Sequence, residues 1–184
     1  MSDELILVDL FDRETGSGEK LAVHRTRQLH RAFSVFIRDG SGRLLLQRRA
    51  RGKYHSGGLW TNACCSHPRK GESLLPAACR RLGEELGVPV QETDLRELFS
   101  FVYYAPFDRL SEYEYDHVLL LTHGGPFSPD PGEIEELRWI SPEALMEELT
   151  RTPERFCAWL LTAAPQVLSI LKEEGLADGQ KEQP

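Results

Sequence analysis

The sequence predicts an α/β (α+β) fold, a mixed-sheet sandwich flanked by helices. Three observations carry this. Two β-prone runs, HRAFSVFIRD and RLLLQRRA, are joined by Gly40-Ser41-Gly42 as a hairpin. Three more strand-like stretches lie at 97–105, 112–122 and 135–140. Helical periodicity is confined to one insertion between strands and to the region after them, which argues against an alternating parallel fold.

Taken in order, ELILV at residues 4–8 reads as a short strand, and ETGSGEK at 14–20 as a glycine-rich turn leading to a second. The hairpin comes next, and then the loop RGKYHSGGLW. After it stands TNACCSHP, Thr61 to Pro68, in which paired thiols lie just ahead of a histidine. That stretch leaves open a metal clip, half of a disulfide, or the seat of a nucleophile. In SLLPAACRRLGEELG, residues Leu74, Ala78, Leu82 and Leu86 make one apolar helical face, Ser73 is the candidate N-cap, and Gly87 and Pro89 end the helix. Gly83 sits inside it at a cost of about 1 kcal/mol relative to alanine, which points to a close approach by a backbone or ligand. SPEALMEEL starts a helix at Ser-Pro, and TPERFCAWLLTAAPQVLSILKEEG forms a longer one expected to bend at Pro165.

A chain of 184 residues fits one domain, here 1–175, followed by a tail over 176–184 too poor in apolar residues to pack and expected to be disordered. The net charge of -7 disfavours nucleic-acid partners. MSDELILVDL lacks the basic start of a secretory signal, and no stretch is long enough to span a membrane. Cys64, Cys65, Cys79 and Cys157 form no disulfide framework by spacing, so reduced cytoplasmic thiols are expected. One basic cluster, Arg43, Arg48, Arg49, Arg51 and Lys53, suits a small anion better than a polymer, although alone it reads as a solvated strand end.

In EYEYDH, a strand places Glu112, Glu114 and Asp116 on one face and Tyr113, Tyr115 and His117 on the other. Read alone, the acids face water. Three carboxylates in a row nonetheless repel unless a cation joins them, and oxygen ligands suit a hard divalent ion. His24, His30 and His67 lie on separate elements, while His55, His117 and His123 have no evident companions. Convergence of three imidazoles with two carboxylates would describe a Zn²⁺ or Mn²⁺ site, with Mg²⁺ less suited to so many nitrogens.

The segment SHPRKGESLLPAACRRLGEELGV resembles the Nudix box, with Glu72, Arg80, Glu84, Glu85 and Gly87 matching its pattern. It departs at Ser66, where the box has glycine, and at Arg81, where it has glutamate. Together with HRAFSVFI, LWTNACCSHP and EYEYDH, the degenerate box resembles the type I isopentenyl-diphosphate isomerases, a Nudix-fold family, from about Lys20 to Trp159.

That resemblance implies interconversion of isopentenyl and dimethylallyl diphosphate, with a cysteine and a glutamate acting from opposite faces of the substrate. It implies Cys65 as the reactive thiol, Glu114 as the opposing acid, and Tyr103 and Trp159 beside the hydrocarbon. It further implies His24, His30, His67, Glu112 and Glu114 as the metal site, and Glu85 on a Mg²⁺ shared with the diphosphate. Lys20, Arg49, Lys53 and Arg81 (or Arg80) would be its basic contacts. The expected partner is a small prenyl diphosphate and the expected state a monomer. Two rivals remain: a Nudix hydrolase of a nucleoside diphosphate derivative, and a structural zinc site using Cys64, Cys65 and His67.

Overall fold

The computed structural model describes residues 4–53 and 55–181, with side chains described as far as 175. Strand β1 (Glu4–Val8) pairs antiparallel with β2 (Glu14–Glu19). The glycine-rich segment is therefore itself an edge strand, and the turn lies earlier, where Asp9 Oδ1 accepts the amides of Phe11 and Arg13 at 2.9 and 3.0 Å. After β2 the chain enters a short helix rather than another strand: α1 (Lys20–Thr26), capped by the Glu19 carboxylate and closed by Arg27 at φ 58°.

Strands β3 (His30–Arg38) and β4 (Leu44–Arg49) are joined as expected, yet they pair only at Arg38↔Leu44. Beyond that point they splay. One edge of β3 runs parallel to β8 (Leu110–Thr122) from His30↔Glu114 to Arg38↔Thr122. Its other edge pairs antiparallel with β6 (Cys64–Ser66) and touches β1. Strand β4 instead takes β5 (Trp60–Asn62) and β9 (Ile134–Ile140) as antiparallel neighbours. Strand β7 (Leu95–Phe107) completes a long hairpin with β8.

Side chains alternating along these strands divide the interior into two cores. Phe33, Val35, Ile37, Leu119 and Leu121 face α2 (Leu74–Leu86), which contributes Ala77, Ala78, Leu82 and Leu86. Phe36, Val118 and Leu120 face α3 (Pro142–Arg151) and α4 (Ala158–Lys181), which contribute Leu145, Leu160 and Val167. Each aliphatic side chain so buried stabilises the fold by roughly 1.5–3 kcal/mol.

Helix α2 ends at Gly87, at φ 67°, where a Cβ would come within 2.9 Å of Ser128 Cβ. Ser73 precedes it with extended backbone but forms no side-chain cap. The backbone half of the expectation for Gly83 fails, because a Cβ there would meet nothing within 4 Å. Ser141 caps α3 by accepting Ala144 N at 3.2 Å. Helix α4 starts later than its sequence pattern, after a 3₁₀ turn over Pro153–Arg155, and contains Pro165. Residues 182–184 and the side chains of 176–181 lie outside the described residues, while the backbone of α4 continues to Lys181, into the stretch expected as a tail.

Candidate active site

On β8 the even positions form one stripe: Glu112, Glu114, Asp116, Val118 and Leu120. Its apolar end packs under α4. Its acidic end does not face water, as the strand pattern alone suggests, since Glu112 is 3 %, Glu114 6 % and Asp116 1 % exposed. The pattern separates two faces without saying which is inside. Parallel pairing with β3 decides it, by setting Glu114 beside His30.

His24 from α1, His30 from β3, His67 after β6, and Glu112 and Glu114 offer ligand atoms that all lie within 4.8 Å of one another. Backbone carbonyls orient two of the rings. Lys20 O lies 2.6 Å from His24 Nδ1, and Gln28 O 2.9 Å from His30 Nδ1, so both rings turn Nε2 inward. His30 Nε2 is buried without a hydrogen-bond partner, 3.6 Å from Glu114 Oε1. Such carbonyl-oriented imidazoles beside carboxylates are how proteins hold first-row divalent ions, and the donor set fits one.

Electrostatics within the cluster favour ionised carboxylates and a neutral His67. Burial raises Glu112, but His24 and His55 more than offset it and leave its carboxyl well below the usual range. Glu114 is pushed up by burial and by Glu112, yet His30 and His67 bring it below its ordinary value. Burial outweighs Glu114 at His67 and takes that imidazole down to about 4. His24 goes the other way: burial lowers it, and Glu112 more than compensates.

A cavity opens beside this cluster, lined in part by Cys65, Glu114, Tyr103 and Trp159. Lys20, Arg49, Lys53, Arg81 and Glu85 line it too, so these candidates from separate elements share one space. Tyr103 donates to Glu114 Oε2 at 2.5 Å. Cys65 faces the cavity while its neighbour Cys64 is fully buried on the α2 side, as strand alternation requires. All four cysteines are free, which removes the disulfide reading, and opposed thiols make a poor zinc clip. Burial and nearby Asp116 push the Cys65 thiol far up, so it keeps its proton at neutral pH.

The adjacent acids of α2 separate as their 100° spacing predicts. Glu84 is exposed, whereas Glu85 is buried and ion-paired with Arg81. Arg81 also reaches Glu84 at 2.7 Å and Glu133 at 3.4 Å. Glu133 in turn pairs with Lys53. Arg80 is held elsewhere, by Glu72 at 2.7 Å. Arg49 lies 5.3 Å from the Trp159 ring.

Sequence patterns alone miss several site residues. His55 contacts Glu112 Oε1 at 2.6 Å and stacks on Phe107 at 4.7 Å. Ser34 donates to buried Asp116 at 2.8 Å and lies 3.7 Å from Cys65 Sγ. Glu133 and Asn62 join them. The alternation of β3 carries the one available signal, a serine on the face shared with His30. His117 belongs to the opposite face, where it bridges Glu97 and Asp12.

A NUDIX domain family model matches residues 28–160. A protein named isopentenyl-diphosphate Delta-isomerase 2 from Aromatoleum aromaticum is 45 % identical over 95 % of this chain and 92 % of its own length. Isopentenyl-diphosphate Delta-isomerase from Serratia proteamaculans is 49 % identical over 88 % and 89 %. Among solved structures, one from Deinococcus radiodurans superposes with a TM-score of 0.74 at 24 % identity, covering 89 % of this chain and 98 % of that one, a likeness of fold.

Proposed function

This chain belongs to the isopentenyl-diphosphate Delta-isomerases of the Nudix superfamily, and we propose that its cavity performs their reaction with Cys65 and Glu114 as the two proton-transfer groups. The observation that carries this is one cavity whose lining includes the Cys65 thiol, the Glu114 carboxylate, the Tyr103 and Trp159 rings and several cations.

Isomerisation protonates the terminal alkene carbon of isopentenyl diphosphate, passes through a tertiary carbocation, and removes a proton from the carbon on the other side of the cationic centre. An alkene is a very weak base, so the donor must be well placed and water excluded. A protonated Cys65 and an ionised Glu114 hold one transferable proton between them. Acting from opposite faces of the substrate, the same pair serves either direction. Tyr103 holds the Glu114 carboxyl by its short hydrogen bond. The face of Trp159 stabilises positive charge, worth about 2 kcal/mol when desolvated.

His24, His30, His67, Glu112 and Glu114 would hold Zn²⁺ or Mn²⁺, which would orient Glu114 and bias it toward its ionised form. Glu85 would share a Mg²⁺ with the diphosphate, and Lys20, Arg49, Lys53 and Arg81 would bind its oxygens. Anchoring there fixes the hydrocarbon without touching the reacting carbons. Nudix hydrolysis is the weaker reading, because Arg81 neutralises acids that hydrolysis would need for metals.

Residues 1–175 would act as one unit, and as a monomer. Unbridged thiols fit the cytoplasm, and no described helix is long and apolar enough to cross a membrane. Incubation with isopentenyl diphosphate and Mg²⁺ should yield dimethylallyl diphosphate with no phosphate release. Cys65→Ala should lower turnover by roughly 10²- to 10⁴-fold while metal content is retained. Phosphate release, or a fully active Cys65→Ala protein, would overturn the assignment.

A further inference from the structure

Two of the proposed catalytic side chains, Cys65 and Trp159, come from distant parts of the sequence, and a chain of buried hydrogen bonds joins them. Trp159 Nε1 donates to Thr61 Oγ1 at 2.6 Å. Thr61 donates to Asn62 Oδ1 at 2.9 Å, and Cys65 Sγ donates to the same oxygen at 3.0 Å. The Asn62 amide spends its two N–H groups on Val35 O and Cys64 O, at 3.0 and 3.1 Å.

The hydrogen count gives each bond a direction. With both amide protons engaged, Oδ1 can only accept. The Thr61 hydroxyl has one proton, which goes to Asn62, so its lone pairs are what the indole N–H meets. Thr61 and Asn62 are both 0 % exposed, so water cannot replace either partner. Ser34 does not supply this function, because its proton is committed to Asp116.

We propose that Thr61 is a positioning residue for the isomerisation, its hydroxyl locking the Trp159 ring and, through Asn62, the Cys65 thiol in one fixed relative geometry. This rests on the catalytic roles of Cys65 and Trp159. The thiol must deliver or take its proton at one carbon while the ring faces the adjacent cationic centre. A tether that fixes the two groups facing the reacting carbons matters more to the transition state than to binding.

The test uses Thr61→Val, which keeps the side-chain shape and removes the hydroxyl, and Thr61→Ser, which restores it. Thr61→Val should lower kcat by roughly 10- to 100-fold, the scale of an ångström misplacement, with KM for isopentenyl diphosphate changed by less than about twofold. Its Trp159 indole N–H resonance, assigned by its loss in Trp159→Phe, should shift. Thr61→Ser should recover both the rate and the resonance. The double variant Thr61→Val/Trp159→Phe should lose less than the product of the single losses. Wild-type kcat in Thr61→Val, or a rate loss in Thr61→Val that Thr61→Ser does not restore, overturns the inference. If Cys65→Ala itself stays active, the catalytic assignment fails instead, and the two failures are read from different proteins.

Discussion

Two acidic clusters lie against the same cavity and solve the cost of buried negative charge differently. On β8, Glu112 and Glu114 sit among imidazoles that are oriented by backbone carbonyls, an arrangement that leaves His30 Nε2 without a hydrogen-bond partner. On α2, Glu85 is met by the guanidinium of Arg81, and Glu133 closes the group with Lys53. A carboxylate buried among inward-turned imidazoles has ligands ready for a cation from outside, whereas one buried beside arginine already has a cation. The first cluster is thereby suited to a resident metal and the second to a diphosphate that would bring its Mg²⁺ with it.

The sharpest way to break that contrast is to remove a ligand. Glu112→Ala should weaken metal binding by more than about 100-fold, because even the groups that merely orient ligands cost up to that much. Metal analysis after dialysis reads the effect, and Arg81→Met should leave metal content unchanged. If both variants lose metal equally, the clusters are one site.

Arg81→Met tests the second cluster. Losing charge-assisted bonds worth about 1.5–3 kcal/mol should raise KM for isopentenyl diphosphate by roughly 10- to 100-fold. Urea unfolding should show a loss of about 3 kcal/mol, since Glu85 is left buried without its partner. Unchanged KM would separate Arg81 from substrate.

Acid should affect the first cluster earlier than carboxylate titration alone would. His67 is depressed to about 4 from 6.5, so between those values the unfolded chain binds more protons than the folded one. The metal-free protein should therefore lose stability as pH falls through that window. His24, whose value is raised, contributes stability present below 6.5 and lost as pH rises, which opposes the trend. Thermal midpoints of wild type and His67→Gln isolate the difference, and identical slopes would refute it.

The smallest expected effect lies between the clusters' supporting residues. Gly83 meets nothing, so Gly83→Ala should stabilise α2 by roughly 0.5–1 kcal/mol with turnover unchanged. A loss of activity there would restore the idea that its bareness serves a ligand.

Helix α2 was legible because its apolar spacing and terminal glycine are local signals, and the separation of Glu84 from Glu85 follows from helix geometry alone. Helix α1 was not, being short and capped by a glutamate, which is not among the residues that usually announce a helix start. His55 carries no sequence signal because its partner Glu112 lies far along the chain on β8. Thr61 and Asn62 look like ordinary strand residues until Trp159 packs beside them.

The sequence by itself determined the periodicities, and through them which side chains share a face: Glu112 with Glu114, Cys65 apart from Cys64. Only the tertiary structure decided that the acidic face of β8 points inward, that β3 and β4 part after one pair, and that His24 reaches the centre from a helix. Alternation is a property of one strand's backbone, whereas burial depends on what packs against it, and here that partner is the parallel neighbour β3 carrying His30.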